Sequence, residues 1–144
     1  MLKFLSGFAV SSLGLKQMLF VGVGGFLGSI ARYKLGGFVL HRSAAWDFPL
    51  STFMVNLIGC FAIGMLAALV ERHDLFSTAT RLFLFTGFLG GFTTFSAFAY
   101  EGLFLIRRGS PGVAVLYSGT SIGFGFAAVW IGMKFMDLLW RAHR

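Results

Sequence analysis

Charged residues divide the chain into four long uncharged runs: from Gln17 to Ala31 between Lys16 and Arg32, from Phe48 to Val70 between Asp47 and Glu71, from Leu82 to Tyr100 between Arg81 and Glu101, and from Gly109 to Met133 before Lys134. A helix needs about 20 apolar residues to cross the hydrocarbon of a bilayer. The runs and their flanks therefore predict four helical spans, over about residues 17–40, 48–70, 82–105 and 112–138, in a single transmembrane domain covering residues 1–144 with residues 1–16 as a preamble. The connections are too short for a soluble domain. The third run differs from the others because Gly87, Gly90, Gly91, Thr93 and Thr94 crowd its centre. Glycine costs roughly 1 kcal/mol against alanine in a helix, and threonine hydroxyls compete for backbone carbonyls. An interrupted helix is expected there. Lipid cannot satisfy broken backbone, so the break must be buried in protein or line a cavity.

Composition agrees with a membrane protein and narrows its partners. With 57% hydrophobic and 12% charged residues the chain is too apolar for a water-soluble domain. The net charge of +7 does not indicate nucleic acid, because the basic residues sit at span ends and form no basic helix face; they anchor spans at lipid headgroups. With the amino terminus cytoplasmic, seven of the twelve Lys and Arg fall on one side (Lys3, Lys16, Arg72, Arg81, Lys134, Arg141, Arg144) and five on the other (Arg32, Lys34, Arg42, Arg107, Arg108). Such near balance leaves both orientations accessible and predicts a dual-topology protein assembling as an antiparallel homodimer. The single cysteine, Cys60, lies mid-span and is expected to be a small packing residue. Residues 1–16 carry Lys3 before an apolar stretch but no good small-x-small site, so cleavage as a signal peptide is not expected.

Within the spans a few positions stand out. Gly24 and Gly28 share a face and allow close helix approach; no strand precedes them and Leu27 stands where a dinucleotide fingerprint needs glycine. Arg32 lies either inside the protein near the end of its span or snorkels outward. Pro49 suits a first helical turn, with Ser51 or Thr52 serving nearby backbone groups. Asn56 needs partners: it either hydrogen-bonds a neighbouring helix or faces a wet pathway. Glu71, Arg72, His73 and Asp74 are consecutive and cannot all face one ion, so they read as a solvated loop. Phe95 and Phe98 share a helix face beginning at the break, with Thr94 near it and Ser96 beside it. Aromatic rings have a positive edge, which can contact an anion without formal charge. Glu101 either pairs with Arg32 or marks the membrane surface. Tyr117, Ser121 and Gly125 form a narrow polar stripe on the last span.

Catalytic chemistry is missing. His41, His73 and His143 lie in loops or the tail, and no carboxylate pair or His-x-x-His spacing occurs inside a span. A proton-coupled transporter needs an embedded carboxylate, and spans one and two have none. What remains is neutral: amide, hydroxyls, glycine backbone and phenylalanine edges. Neutral donors suit a passive pathway for a small anion, which a fixed positive charge would hold too tightly. A small multidrug-type exporter and a non-transporting membrane assembly protein are the alternatives; the first should carry a carboxylate in its first span.

Three motifs resemble the Fluc (CrcB) fluoride channels: Gly24 to Tyr33 in span one, Thr52 to Gly64 in span two, and Gly87 to Phe98 followed by Glu101 in span three. Phe53, Cys60 and Ala97 stand where Leu, Ser and Thr are common. The resemblance implies a four-helix subunit in an antiparallel homodimer of a bacterial cytoplasmic membrane, exporting fluoride passively and relieving its toxicity. It implies two fluoride pathways and a structural sodium ion on the two-fold axis. At matching positions it implies Asn56 as an amide donor beside the pore, Phe95 and Phe98 as the rings that touch fluoride, and Gly90 and Thr93 as backbone-carbonyl ligands of sodium. Tyr117 and Ser121 correspond to a hydroxyl-bearing pore stripe. Thr94 and Ser96 complete the expected fluoride pathway, since hydroxyls and ring edges bind weakly enough for release. Sodium takes oxygen ligands, which carbonyls freed by unwinding would supply.

Overall fold

The computed structural model describes residues 14–73 and 75–142. The cleavage expectation falls mostly on residues 1–13, outside the described residues; of the expected solvated loop, Glu71, Arg72 and His73 instead form the last turn of a helix, and Asp74 lies outside the described residues. Among the described residues there are six α-helices and one π-helical segment: α1 (Leu15–Ser43), α2 (Leu50–His73), α3 (Thr78–Arg81), the π segment (Leu82–Leu89), α4 (Gly90–Phe92), α5 (Phe95–Arg107) and α6 (Pro111–Ala142). The stretch from α3 to α5 is one membrane-length unit, continuous except at Thr93 and Thr94, where the backbone is extended.

Three helices are long and apolar enough to cross a membrane among the described residues: α2, the unit from Thr78 to Arg107, and α6. The sequence pattern predicts four. Helix α1 is 29 residues long, ample for a span at about 1.5 Å per residue, but does not reach the same apolarity. Its glycines and the cations Lys16, Arg32 and Lys34 dilute it. Large apolar side chains face outward along the molecule, from Phe26 on α1 to Phe126 on α6, as suits a surround of lipid tails rather than water.

The helices pack chiefly in two pairs, α1 against the π segment and α2 against α6. Glycine decides how closely each pair approaches. A Cβ built on Gly24 would lie 2.5 Å from the Phe83 carbonyl oxygen and 2.9 Å from the Phe88 nitrogen, and one on Gly91 would lie 2.5 Å from the Gly25 carbonyl oxygen. Backbone thus lies directly on backbone, and the π segment beds into α1 along Gly24, Gly25 and Gly28. In the second pair, Gly64 meets the backbone of Val129, and Gly132 meets that of Phe61. Helices α5 and α6 are joined by a tight turn. Gly109 takes φ of +86°, and the N–H groups of Gly109 and Ser110 donate to the carbonyls of Ile106 and Leu105 at 3.1 and 2.9 Å, the double bond pattern that ends a helix on a left-handed glycine. Arg108 pairs with Asp47 at this end.

Ser51 and Thr52 do not serve the start of α2 as the sequence suggests. Their hydroxyls reach other helices, Ser51 to the Gly36 carbonyl at 2.9 Å and Thr52 to Glu101 at 2.7 Å. A small aromatic core forms where α2, α5 and α6 meet, with Tyr117 and Leu105 buried and Phe48, Phe53 and Phe98 packed on them. Its rings meet edge-on, Phe48 at 5.3 Å from Tyr117 and 5.4 Å from Phe53.

Gly24→Val should therefore lower resistance to unfolding by about 2 kcal/mol through overpacking, measured by denaturant titration in detergent. Gly22→Val, with nothing within 4 Å of the new Cβ, should leave it within about 0.5 kcal/mol of the parent.

Candidate functional site

The break in the third unit is held open by one side chain from α2. The Asn56 amide nitrogen donates to the Thr94 carbonyl at 3.0 Å, and the Thr94 N–H donates to the Asn56 amide oxygen at 2.8 Å. With the amide turned the other way both contacts would set donor against donor and acceptor against acceptor. In an unbroken helix the Thr94 N–H would close on the carbonyl of Gly90; here Asn56 takes it. The next turn is diverted in the same manner. Thr94 caps α5 by accepting the Ala97 N–H at 3.2 Å, which would otherwise close on the Thr93 carbonyl. Thr93 itself turns inward, its N–H and its hydroxyl both donating to the Leu89 carbonyl at 2.9 Å. The carbonyls of Gly90 and Thr93 are thereby left without their helical partners.

Beside the break lies a cavity of about 420 Å³. Its wall brings together Asn56, Thr94, Phe95, Phe98 and Ser121 with Gly90 and Thr93, and adds Cys60, Ile63, Phe85 and Leu89; no charged side chain lines it. Phe95 and Phe98 are adjacent, with ring centroids 5.7 Å apart and planes inclined by 44°. Phe95 is 79% exposed in the single subunit. The Ser121 hydroxyl is buried and has no hydrogen-bond partner. Ser96 lies outside the wall, its hydroxyl 3.3 Å from that of Thr94. Such a wall supplies neutral donors, ring edges and free backbone oxygens.

Tyr117 is the point at which the structure departs from the expected stripe. It is 0% exposed, absent from the cavity wall, and its hydroxyl donates to Glu101 at 2.8 Å. The other Glu101 oxygen accepts from Thr52 at 2.7 Å. Glu101 is thus held by two hydroxyls, and among the described residues no ion pair joins it to Arg32. Two donors from two helices compensate the carboxylate, an arrangement different from either expected role, an ion pair with Arg32 or a marker of the membrane surface. The Tyr117 ring lies 5.2 Å from that of Phe98, so the carboxylate, the tyrosine and the cavity phenylalanine form one continuous stack of contacts.

The role of Thr52 went unread in the sequence, although a signal exists. Thr52, Asn56 and Gly59 stand at i, i+4 and i+7, one face of α2. They meet Glu101, Thr94 and Thr93 in antiparallel order. A single helix face therefore addresses the whole of the break and the start of α5.

The model of the family described as CrcB-like protein, Camphor Resistance (CrcB), matches residues 19–133. A protein of Methylobacillus flagellatus named fluoride-specific ion channel FluC is 47% identical over 126 residues, covering 88% of this chain and 98% of the relative. Proteins with the same name from Acidobacterium capsulatum and Rhizobium etli are 45% and 46% identical, covering 81% and 85% of this chain and 93% and 98% of their own lengths.

Asn56→Leu should leave the Thr94 N–H and carbonyl unpaired in an apolar setting and lower stability by about 2–4 kcal/mol. Amide exchange should quicken at Thr94 and the first turn of α5, measured by mass spectrometry, and remain slow along α6.

Proposed function

The chain belongs to the CrcB family, and we propose that it is a fluoride-specific ion channel, a passive conductor and not an enzyme, that lets cytoplasmic fluoride leave across a bacterial cytoplasmic membrane and so relieves its toxicity. The observation that carries this is the uncharged cavity that collects an amide, an unpartnered hydroxyl and two adjacent phenylalanines at a helix break. Fluoride is small and strongly hydrated. Directional neutral donors replace part of its water and still release it, where a fixed cation would trap it. Asn56 keeps one amide hydrogen beyond the one bonded to Thr94, the Ser121 hydroxyl is free to donate, and the edges of Phe95 and Phe98 face an anion with their positive rim. Thr94 and Ser96 carry hydroxyls at the entrance to α5. Tyr117 serves the pathway indirectly, by holding Phe98 and Glu101.

In this proposal α1 is a fourth span, and the subunit works as an antiparallel, dual-topology homodimer with two pathways. Support comes from the near balance of flanking cations, and from the exposed Phe95 and Gly90, which a second subunit would cover. A structural sodium ion fits the same picture. The carbonyls of Gly90 and Thr93, relieved of their helical partners, are hard oxygen donors, and two subunits would supply two pairs. Bound there, sodium would tie the two breaks together at the dimer axis. Arg32 and Glu101 are structural charges, not members of the pathway.

Purified protein in liposomes should release loaded fluoride and retain chloride under the same gradient, read with ion-selective electrodes; absence of fluoride release would end the proposal. Phe95→Ile, which keeps an apolar side chain and deletes the ring edge, should slow release about fivefold or more, one lost contact of about 1 kcal/mol or above, while the dimer survives in size-exclusion chromatography. Unchanged release would assign Phe95 to packing.

A further inference from the structure

We infer that Gly59 is a positioning residue for the cation site, acting through the methyl group of Thr93; this rests on the sodium reading given above. Gly59 sits on the α2 face that also carries Asn56, three residues and almost one turn away. A Cβ built on Gly59 would collide with the Thr93 methyl carbon Cγ2, and would lie 3.4 Å from Phe92 Cδ1. The Thr93 methyl therefore occupies the space that any other residue at 59 would fill. On its other branch the Thr93 hydroxyl donates to the Leu89 carbonyl at 2.9 Å, the same oxygen that takes the Thr93 N–H. Both branches of a β-branched side chain are thus engaged, one in a notch and one in a hydrogen bond, which leaves a single rotamer. On the following residue, Asn56 grips both backbone polar groups of Thr94.

The consequence is geometric. The peptide that carries the Thr93 carbonyl lies between an anchored Thr93 side chain and an anchored Thr94 backbone, so its oxygen has one direction. A cation held by a small number of carbonyls requires that direction to be fixed, since small displacements of a ligand oxygen are felt by a hard ion. Gly59 supplies the notch, Asn56 the clamp, and neither needs to touch the ion.

The test moves one methyl group across the contact. Gly59→Ala alone places a methyl against the Thr93 methyl and should raise the half-saturating sodium concentration, read by calorimetric sodium titration of the purified protein and by fluoride release from liposomes, about tenfold. Thr93→Ser alone keeps the hydroxyl bond to Leu89, empties the notch and should raise it less, by about threefold. The double variant Gly59→Ala with Thr93→Ser refills the notch from the other side and should return to within about twofold of the parent. A merely structural role would lower the amount of folded dimer without moving the sodium dependence of what remains. Should Gly59→Ala fail to fold, the double variant and Thr93→Ser still decide: a double variant with sodium dependence no nearer the parent than Thr93→Ser overturns the inference. So does Gly59→Ala with unaltered sodium dependence. A parent protein indifferent to sodium would instead overturn the cation reading itself.

Discussion

Backbone polar groups inside a membrane must find partners, and one side chain meets that demand where the third unit breaks. The pair of hydrogen bonds between Asn56 and Thr94 replaces the helical bond that Thr94 would have made and does so from a neighbouring helix. Each unmet group would cost on the order of 1–3 kcal/mol, so the break and the α2 contact stand or fall together. From this exchange the rest follows: the Gly90 carbonyl is released, Thr94 becomes a helix cap, α5 starts afresh, and its first turn turns Phe95 and Phe98 toward the cavity.

The scaffold exists to bring that helix face and that break together. Glycine pairs set α1 hard against the π segment and α2 hard against α6, with backbone on backbone in both cases. Without a hydrophobic force between helices in lipid, such close approach is the main source of packing energy. The polar contacts are few and each is specific: Thr52 and Tyr117 on Glu101, Ser51 on the Gly36 carbonyl, Arg108 with Asp47 at the surface. Together they fix the register of α2 against α1 and α5, and hence the height at which Asn56 meets Thr94.

Much of this was legible in the chain. The alternation of charged residues and apolar runs locates the helices, because water and lipid select on composition alone. The excess of glycine and threonine between Gly87 and Thr94 announces an interruption, because both residue types weaken a helix locally. Gly24 and Gly28 announce a close contact. Harder to read was anything decided by a partner helix. Asn56 offered two roles, and its commitment to Thr94 depends on which residues α2 faces. Tyr117 and Ser121, i and i+4 on one helix, separate because the tyrosine hydroxyl reaches Glu101 while the serine hydroxyl stays at the cavity. The π segment packs along α1 and has no local signature. The first helix carries too many glycines and cations to reach the apolarity of the other three, since the residues that let it pack closely are those that dilute it.

In the proposed channel the Asn56 clamp liberates backbone oxygens for a cation. The chain contains a single Thr-Thr peptide, between Thr93 and Thr94, so solid-state NMR of the protein in bilayers, with threonine labelled at both carbonyl carbon and nitrogen, gives one correlation that reports the Thr93 carbonyl alone. Replacing sodium by a bulky organic cation should shift that signal, with recovery when sodium returns. A Thr93 carbonyl signal that stays in place through the exchange would contradict the account.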